Sequence, residues 1–464
     1  MMKNSRSAFL DIFGGQTKIR IGAYALLLCL SIYGFGTSEM TNGEPATAEA
    51  ATAAQDNRQT EEIEFDPTAL FLTWQYDPTT SMTIDWHTLP YHGNYHMKSL
   101  LQFREEGIEK WREVNGAYHQ FPHSRRHIHR VTLRDLEPGT TYQFRFGDAT
   151  KSYRFETMPQ DLSEPLRFAT GGDAGTGEAF ERMNRVVMEY DIDFIKWGGD
   201  IAYANGDPAR IDRWYDWFDG IKNSLIDDTG KVTPIVIIIG NHELFGVRRL
   251  LRGSNPHDEL TQEEAEAFMD RHNLWDGKPT YFFHLFAFPG RPAYNVLDFG
   301  EYMSILALDS NHYSDVAGGQ TGWLERILME RVNIPHVFPT YHVPAYPSHR
   351  SYSGDTSVLI REHWVPLFEQ YNIQLSFENH DHTYKRTHPI RNGEVVDDSE
   401  GIVYMGDGAW VAGPRDGNSK DEWYINQFAS ENHGIIVTLY DDRREIVVVT
   451  DQGVEIDSYT SYVR

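Results

Sequence analysis

Residues Ile235 to Glu243, IVIIIGNHE, are five β-branched residues, a glycine and three polar side chains. The apolar run reads as a strand buried on both faces, so Asn241, His242 and Glu243 fall just past its carboxyl end. In open α/β sheets that end is where sites are built. What else the chain brings there decides the chemistry.

Working outward, the stretch from about Leu166 alternates strand and helix. Strands are expected at Leu166 to Thr170, Phe194 to Trp197, Val236 to Ile239, Met303 to Leu308, His336 to Thr340, Ile373 to Phe377 and Ile402 to Met405. Helices are expected at Glu178 to Tyr190, Ala209 to Leu225, Thr261 to His272 and Trp323 to Val332. This rhythm predicts an α/β fold, a mixed sheet covered by helices. The tail Gly434 to Ser458 alternates again around Asp441-Asp442 and predicts a closing hairpin on that sheet.

Upstream, from about Ala69 to Met158, short alternating runs such as Leu70, Leu72, Trp74 and Tyr142, Phe144, Phe146 are broken by turn signals such as Glu137-Pro138-Gly139-Thr140. They predict a β-sandwich. The histidines at 119, 123, 127 and 129 are expected to be surface or satisfied groups. Before this module, Lys3, Arg6, Lys18 and Arg20 precede an apolar run from Ile21 to Phe35. That order predicts a signal peptide or membrane anchor over 1–36, although the run is short against the ~20 residues a spanning helix needs. Residues 37–63, rich in Ala, Thr and Glu, read as a flexible linker. The organisation is therefore 1–36, 37–63, a sandwich over 64–160 and an α/β domain over 161–464.

The formal net charge of −26 argues against nucleic-acid or anionic-membrane binding, leaving a possible N-terminal anchor as the one membrane contact. An anionic substrate would need a local positive centre, which a metal site supplies. Cys29 is the single cysteine, so thiolate metal sites are excluded from the folded body.

Polar ligand types recur at the strand ends. Asp173 follows the first strand, Asp200 and Tyr203 the second, Asn241 the third, His342 and then His380 and His382 the later ones, with glycines at Gly172, Gly199 and Gly240. This oxygen and nitrogen set suits iron, manganese or zinc and lacks the all-oxygen character of a calcium cage. Seven ligands exceed one tetrahedral site, and two ions about 3.5–4 Å apart sharing a carboxylate fit better.

Asp173 in GDAG, Asp200 and Tyr203 in GDIAY, Asn241 and His242 in GNHE, His342 in YHVPAY, and His380 and His382 in NHDHTYKRT resemble the five ordered motifs of the purple acid phosphatases, within the calcineurin-like metallophosphoesterases. The resemblance runs from about Ala69 to the C-terminus and includes a fibronectin type III-like domain ahead of the catalytic one. It implies Asp173, Tyr203 and His382 on Fe(III), Asn241, His342 and His380 on a divalent Fe, Zn or Mn, and Asp200 bridging. The sequence departs from the family pattern at Asn379, where glycine is usual, and at Pro339, where valine is typical; the outer-shell histidines are matched only loosely, by His349.

The expected function is hydrolysis of small phosphate monoesters by a metal-bound hydroxide, secreted or in the cell envelope. His242 is the expected proton donor, helped by His349, with Glu243 orienting His242. Phosphodiester or nucleotide hydrolysis on the same fold is the alternative, its choice lying in the loops Phe245 to Glu264 and His312 to Gln320. A non-catalytic surface-binding protein is the alternative from another class. Oligomeric state is not legible.

Overall fold

The β-branched and aromatic runs fold as strands whose alternate residues enter different cores. A computed structural model describes residues 65–244, 281–291 and 293–464. The expectations for 1–36 and 37–63, for the helix Thr261 to His272 and for the loop Phe245 to Glu264 fall outside the described residues. Thr60–Arg464 forms one compact unit.

The first eight strands are β1 (Ala69–Thr73), β2 (Met82–Thr88), β3 (Leu100–Glu105), β4 (Arg112–Asn115), β5 (Ala117–Gln120), β6 (His127–Leu133), β7 (Thr141–Phe146) and β8 (Tyr153–Glu156). They form two four-stranded antiparallel sheets, ordered β1-β2-β6-β5 and β4-β3-β7-β8. Leu70 and Leu72 point one way into the sandwich core, whereas Phe71 points the other way, onto Phe218 of the helix Asp212–Ser224 at a ring distance of 5.2 Å.

The remaining strands are β9 (Leu166–Gly171), β10 (Phe194–Trp197), β11 (Ile235–Ile237), β12 (Asn295–Phe299), β13 (Met303–Ala307), β14 (His336–Thr340), β15 (Leu375–Glu378), β16 (Tyr384–Thr387), β17 (Ile390–Arg391), β18 (Glu394–Val395), β19 (Val403–Gly406), β20 (Ile425–Ala429), β21 (His433–Leu439), β22 (Arg443–Thr450) and β23 (Glu455–Tyr462). They form two mixed sheets rather than the single sheet expected: β11-β10-β9-β21-β22-β23 and β12-β13-β14-β15-β19-β16-β20, with β17 and β18 a separate hairpin.

The two sheets pack face to face. In β10, Phe194 faces the shared inner core with Phe168, Phe338 and Phe377, while Ile195 and Trp197 face outward onto the helices Glu178–Met188 and Asp212–Ser224. In β13, Ile305 points inward, and Leu306 meets the outer layer formed by the helices Thr321–Glu330, Asp355–His363 and Val365–Gln370. The period of two thus produces four layers, helix, sheet, sheet, helix. The last two of those helices were not expected, because they follow a polar stretch rather than a strand. The expected tail hairpin is β21 and β22 on β9, extended by β23. The other edges shift by a few residues: the strand after Pro234 ends at Ile237, and the helix expected from Ala209 starts at Asp212 after a short turn of 3₁₀ helix, Pro208–Arg210.

Parallel pairing joins β9, β10 and β11 in one sheet and β13, β14, β15 and β19 in the other. The loops after six of these strands carry the site.

Candidate metal centre

The loops after β9 and β10 are zipped together by backbone bonds, Asp173 N–H to the Gly199 carbonyl and Ala174 N–H to the Asp200 carbonyl, both 2.9 Å. The loops after β14 and β15 are joined by Asn379 N–H to the His342 carbonyl at 3.0 Å. His382 N–H donates to the Asp407 carbonyl at 2.7 Å, and Trp410 N–H to the Gly172 carbonyl at 2.9 Å, so the turn after β19 closes the ring.

Inside this ring lie two side-chain groups. In the first, Asp173 Oδ1 is 2.9 Å from His382 Nε2 and accepts from the Tyr203 hydroxyl at 3.0 Å, and that hydroxyl is 3.2 Å from His382 Nε2. In the second, Asp200 Oδ2 is 3.0 Å from His342 Nε2, and His342 Nε2 is 3.0 Å from His380 Nδ1. Asp200, His342 and His380 each offer an atom within 4.8 Å of the others. His380 N–H donates to Asp173 Oδ2 at 2.9 Å and ties the groups together.

The tautomers follow from the outer partners. Nδ1–H of His342 donates to the Gly198 carbonyl at 2.9 Å, and Nδ1–H of His382 to the Gly413 carbonyl at 3.2 Å. Each imidazole therefore turns Nε2 toward the carboxylates, the arrangement that readies a histidine as a ligand.

Charge and burial fit a cation. Asp173 and Asp200 are 0% and 1% exposed, and the Oδ1 of Asn241 is buried without a hydrogen-bond partner. Burial raises the Asp173 carboxyl, but the imidazoles of His382 and His342 outweigh it and hold the group below the usual carboxylate range. Burial lowers His342, yet Asp200 and Asp173 carry it up to about 9. Burial and then the two aspartates push the Tyr203 phenol far above its ordinary value. A bound cation reverses that last effect by stabilising the phenolate. The buried oxygens and nitrogens match a hard or borderline ion.

The backbone is strained where these side chains are presented. Asp173 (φ 54°), Asp200 (54°), Tyr203 (55°), His380 (81°) and His382 (56°) all adopt left-handed conformations. Such positions cost about 1–3 kcal/mol each and cluster at functional sites.

His242 lies beside the centre. Its ring is 4.3 Å from that of Tyr203, its Nε2 is 3.8 Å from Asp200 Oδ2, and its Nδ1 meets the Asn205 side-chain oxygen. Glu243 does not orient it. The Glu243 carboxylate is buried and accepts the N–H groups of Gly240 (2.7 Å), Asp200 (2.9 Å) and Ile201 (2.8 Å), locking one metal-site turn onto another. Asn205 takes the orienting position, a contact between loops that linear sequence does not display. His349 is held only through its backbone, N–H to Asp381 Oδ2 at 2.7 Å; its ring Nδ1 is buried without a partner, and no hydrogen bond or ion pair joins the ring to the two groups among the described residues.

Asn379 fits by reciprocal loss of side chains. Its amide donates to the Tyr341 carbonyl at 3.0 Å and occupies the space that a Cβ on Gly198 or Gly172 would need, 1.9 Å and 2.3 Å away. Sequence reasoning overlooked Gly406-Asp407-Gly408, which follows the expected strand Ile402 to Met405 just as the other motifs follow theirs. A Cβ on Gly408 would lie 1.8 Å from Asp173 Oδ2.

Two family profiles match the chain: Purple acid Phosphatase, N-terminal domain, over residues 67–170, and Calcineurin-like phosphoesterase, over 161–384. The probable purple acid phosphatase 20 of Arabidopsis thaliana is 28% identical over 323 residues, 67% of this chain and 67% of the relative. Acid phosphatase type 7 of Mus musculus is 26% identical over 360 residues, 72% of this chain and 73% of the relative. The chain spans 67%, 64% and 60% of the lengths of three Arabidopsis relatives. In fold, the chain is similar to the purple acid phosphatase PPD1 of yellow lupin, with a TM-score of 0.67 at 16% identity over 85% of this chain and 74% of that one. It is also similar to PhoD, with a TM-score of 0.57 at 13% identity over 86% of this chain and 90% of that one. With both profiles in register with the sandwich and the ringed site, the chain belongs to the purple acid phosphatases, within the calcineurin-like phosphoesterases.

Proposed function

We propose that the chain is an acid phosphatase acting on small phosphate monoesters at a dinuclear Fe(III)–M(II) centre, secreted or in the cell envelope, with 64–160 an accessory sandwich to the catalytic 161–464. Asp173, Tyr203 and His382 would hold the ferric ion, Asn241, His342 and His380 would hold the divalent Fe, Zn or Mn, and Asp200 would serve both. When bound, the ions supply an activated water and neutralise charge on the phosphoryl oxygens. The observation that carries the reading is the Tyr203 hydroxyl lodged between Asp173 and His382, at 3.0 and 3.2 Å.

The chain's own residues do the rest. His242, half-turned to solvent beside Asp200, protonates the leaving alkoxide, and Asn205 holds its ring. His349 assists His242 in this reading, from a loop fixed by Asp381, which accepts from the N–H of His349 at 2.7 Å and from that of Ser348 at 2.9 Å. No Ser or Cys stands in a nucleophile motif, so the phosphoryl group passes directly to water. Among the described residues no helix is long and apolar enough to cross a membrane.

Metal analysis and visible spectroscopy test the centre. Iron in the purified protein, with an absorption band lost in Tyr203→Phe, is the expected result; iron-free active protein would overturn the ferric assignment. A kinetic panel tests the substrate class, and faster turnover of bis-p-nitrophenyl phosphate than of the monoester would transfer the activity to diesters.

A further inference from the structure

At the end of the sheets opposite the metal centre, beside the first residues of β14 and β15, lies a cavity of about 280 Å³. That is close to the lower end of the roughly 300–1,000 Å³ usual for small-molecule sites. Arg331, Arg444 and Arg464 line it, with Asn333, Asn372 and Gln374, and no acidic side chain does.

The three arginines differ in how their charge is met. Arg331 forks onto Asp298 through Nε at 2.8 Å and Nη2 at 2.7 Å. Arg444, 2% exposed, donates from Nε to His336 Nδ1 at 2.9 Å, from Nη1 to Gln374 Oε1 at 2.6 Å and Ser461 Oγ at 3.3 Å, and from Nη2 to the Pro335 carbonyl. Every one of these acceptors is neutral. His336 Nδ1 accepts from Arg444, and Nε2–H donates to the Tyr440 carbonyl at 2.9 Å, so its ring carries no charge. Arg464 donates to the carbonyls of Ser399 at 2.9 Å and Gly401 at 2.7 Å. Among the described residues neither Arg444 nor Arg464 forms an ion pair with an acidic side chain.

A buried guanidinium without a counter-charge is costly, and in proteins such a charge is ordinarily paired. The cost shows in Arg444, whose pKa is brought down to about 9 by burial and by the nearby Arg464. In a chain of net charge −26, this is a local reversal of sign at a cavity of ligand size. One Nη2 hydrogen of Arg444 has no partner among these bonds, and planar guanidinium groups match the oxygens of phosphate better than an ammonium does.

We propose that this cavity is a second anion site, taking a small oxyanion of the phosphate class on Arg444 and Arg464. It stands independently of the reading of the metal centre, from which it is separated by the length of β14 and β15.

The test is inorganic phosphate binding to the full metal-loaded chain, by isothermal titration calorimetry, in the wild type and in Arg464→Glu. Arg464 is exposed and far from the metal residues, so kcat and inhibition by phosphate at the metal centre should be unchanged. The expected result is one phosphate fewer per chain in the variant, or at least tenfold weaker binding at one site. Arg444→Gln, checked by thermal melting for folding, should reproduce that loss. Equal stoichiometry and affinity in the wild type and Arg464→Glu would overturn the proposal, even if the metal centre binds phosphate as expected.

Discussion

Glu243 shows how much a single side chain can organise. Burial and the neighbouring Asp200 raise its pKa to about 7, while the three N–H groups it accepts favour the ionised form. Glu243→Gln keeps the shape but turns an amide NH₂ against a backbone N–H. Leaving a buried donor unsatisfied costs about 1–3 kcal/mol, so the urea midpoint should fall by the equivalent of about 2 kcal/mol. Metal retention after dialysis should weaken by about 10–100-fold, as for other groups that support ligands from behind. Asn205 acts on His242 instead. Asn205→Ala should lower kcat for a monoester by about tenfold with KM nearly constant, whereas metal content, measured on the same sample, should not change.

At the scale of elements, the site is a set of turns that fit because some of them lack side chains. A Gly198→Ala methyl would collide with the Asn379 amide, the group that contributes all three of its nearest atoms. Gly198→Ala alone should destabilise by about 1–3 kcal/mol, as overpacking does, and most of that loss should vanish in an Asn379→Gly background. Equal losses in both backgrounds, measured by denaturant titration, would refute the reciprocal fit. The same contacts explain what the sequence could and could not display. Asp173, Asp200, Tyr203, Asn241, His342, His380 and His382 were legible because each follows a strand that local pattern marks out. The turn after β19 obeys the same rule but carries no imidazole, so it drew no notice. The second sheet was hidden because a run buried on both faces does not say which strands it pairs with, and β4 and β5, with almost no buried face, carry no alternation to read.

For the whole molecule, pH acts through buried histidines as well as through catalysis. His87 sits 4.5 Å from the ring of Phe218 and 5.6 Å from that of Phe121, with neither ring nitrogen bonded. Burial, then the charges of Arg126, His129, His119 and Arg130, push its pKa well below 6.5. His129 and His336 are lowered to about 3, mainly by burial. The unfolded chain then binds more protons than the folded one below pH 6.5. Stability from these groups is complete above 6.5 and is lost as pH falls toward the folded values. Asp85 and Asp193, raised to about 6 by burial, work in the opposite direction, their penalty fading as pH falls from 6 toward 3.8. His87→Leu isolates the histidine contribution: its melting temperature should exceed the wild type's, by a larger margin at pH 5 than at pH 7. The position of His87 also bears on ancestry. Phe71, Phe121 and Ile128 of the sandwich share one core with Trp214, Phe218 and Phe286 of the α/β body. A recombination event between β8 and β9 that brought in either half from a distant relative should set mismatched aromatic surfaces against each other, a cost that falls on any exchange of one half without the other.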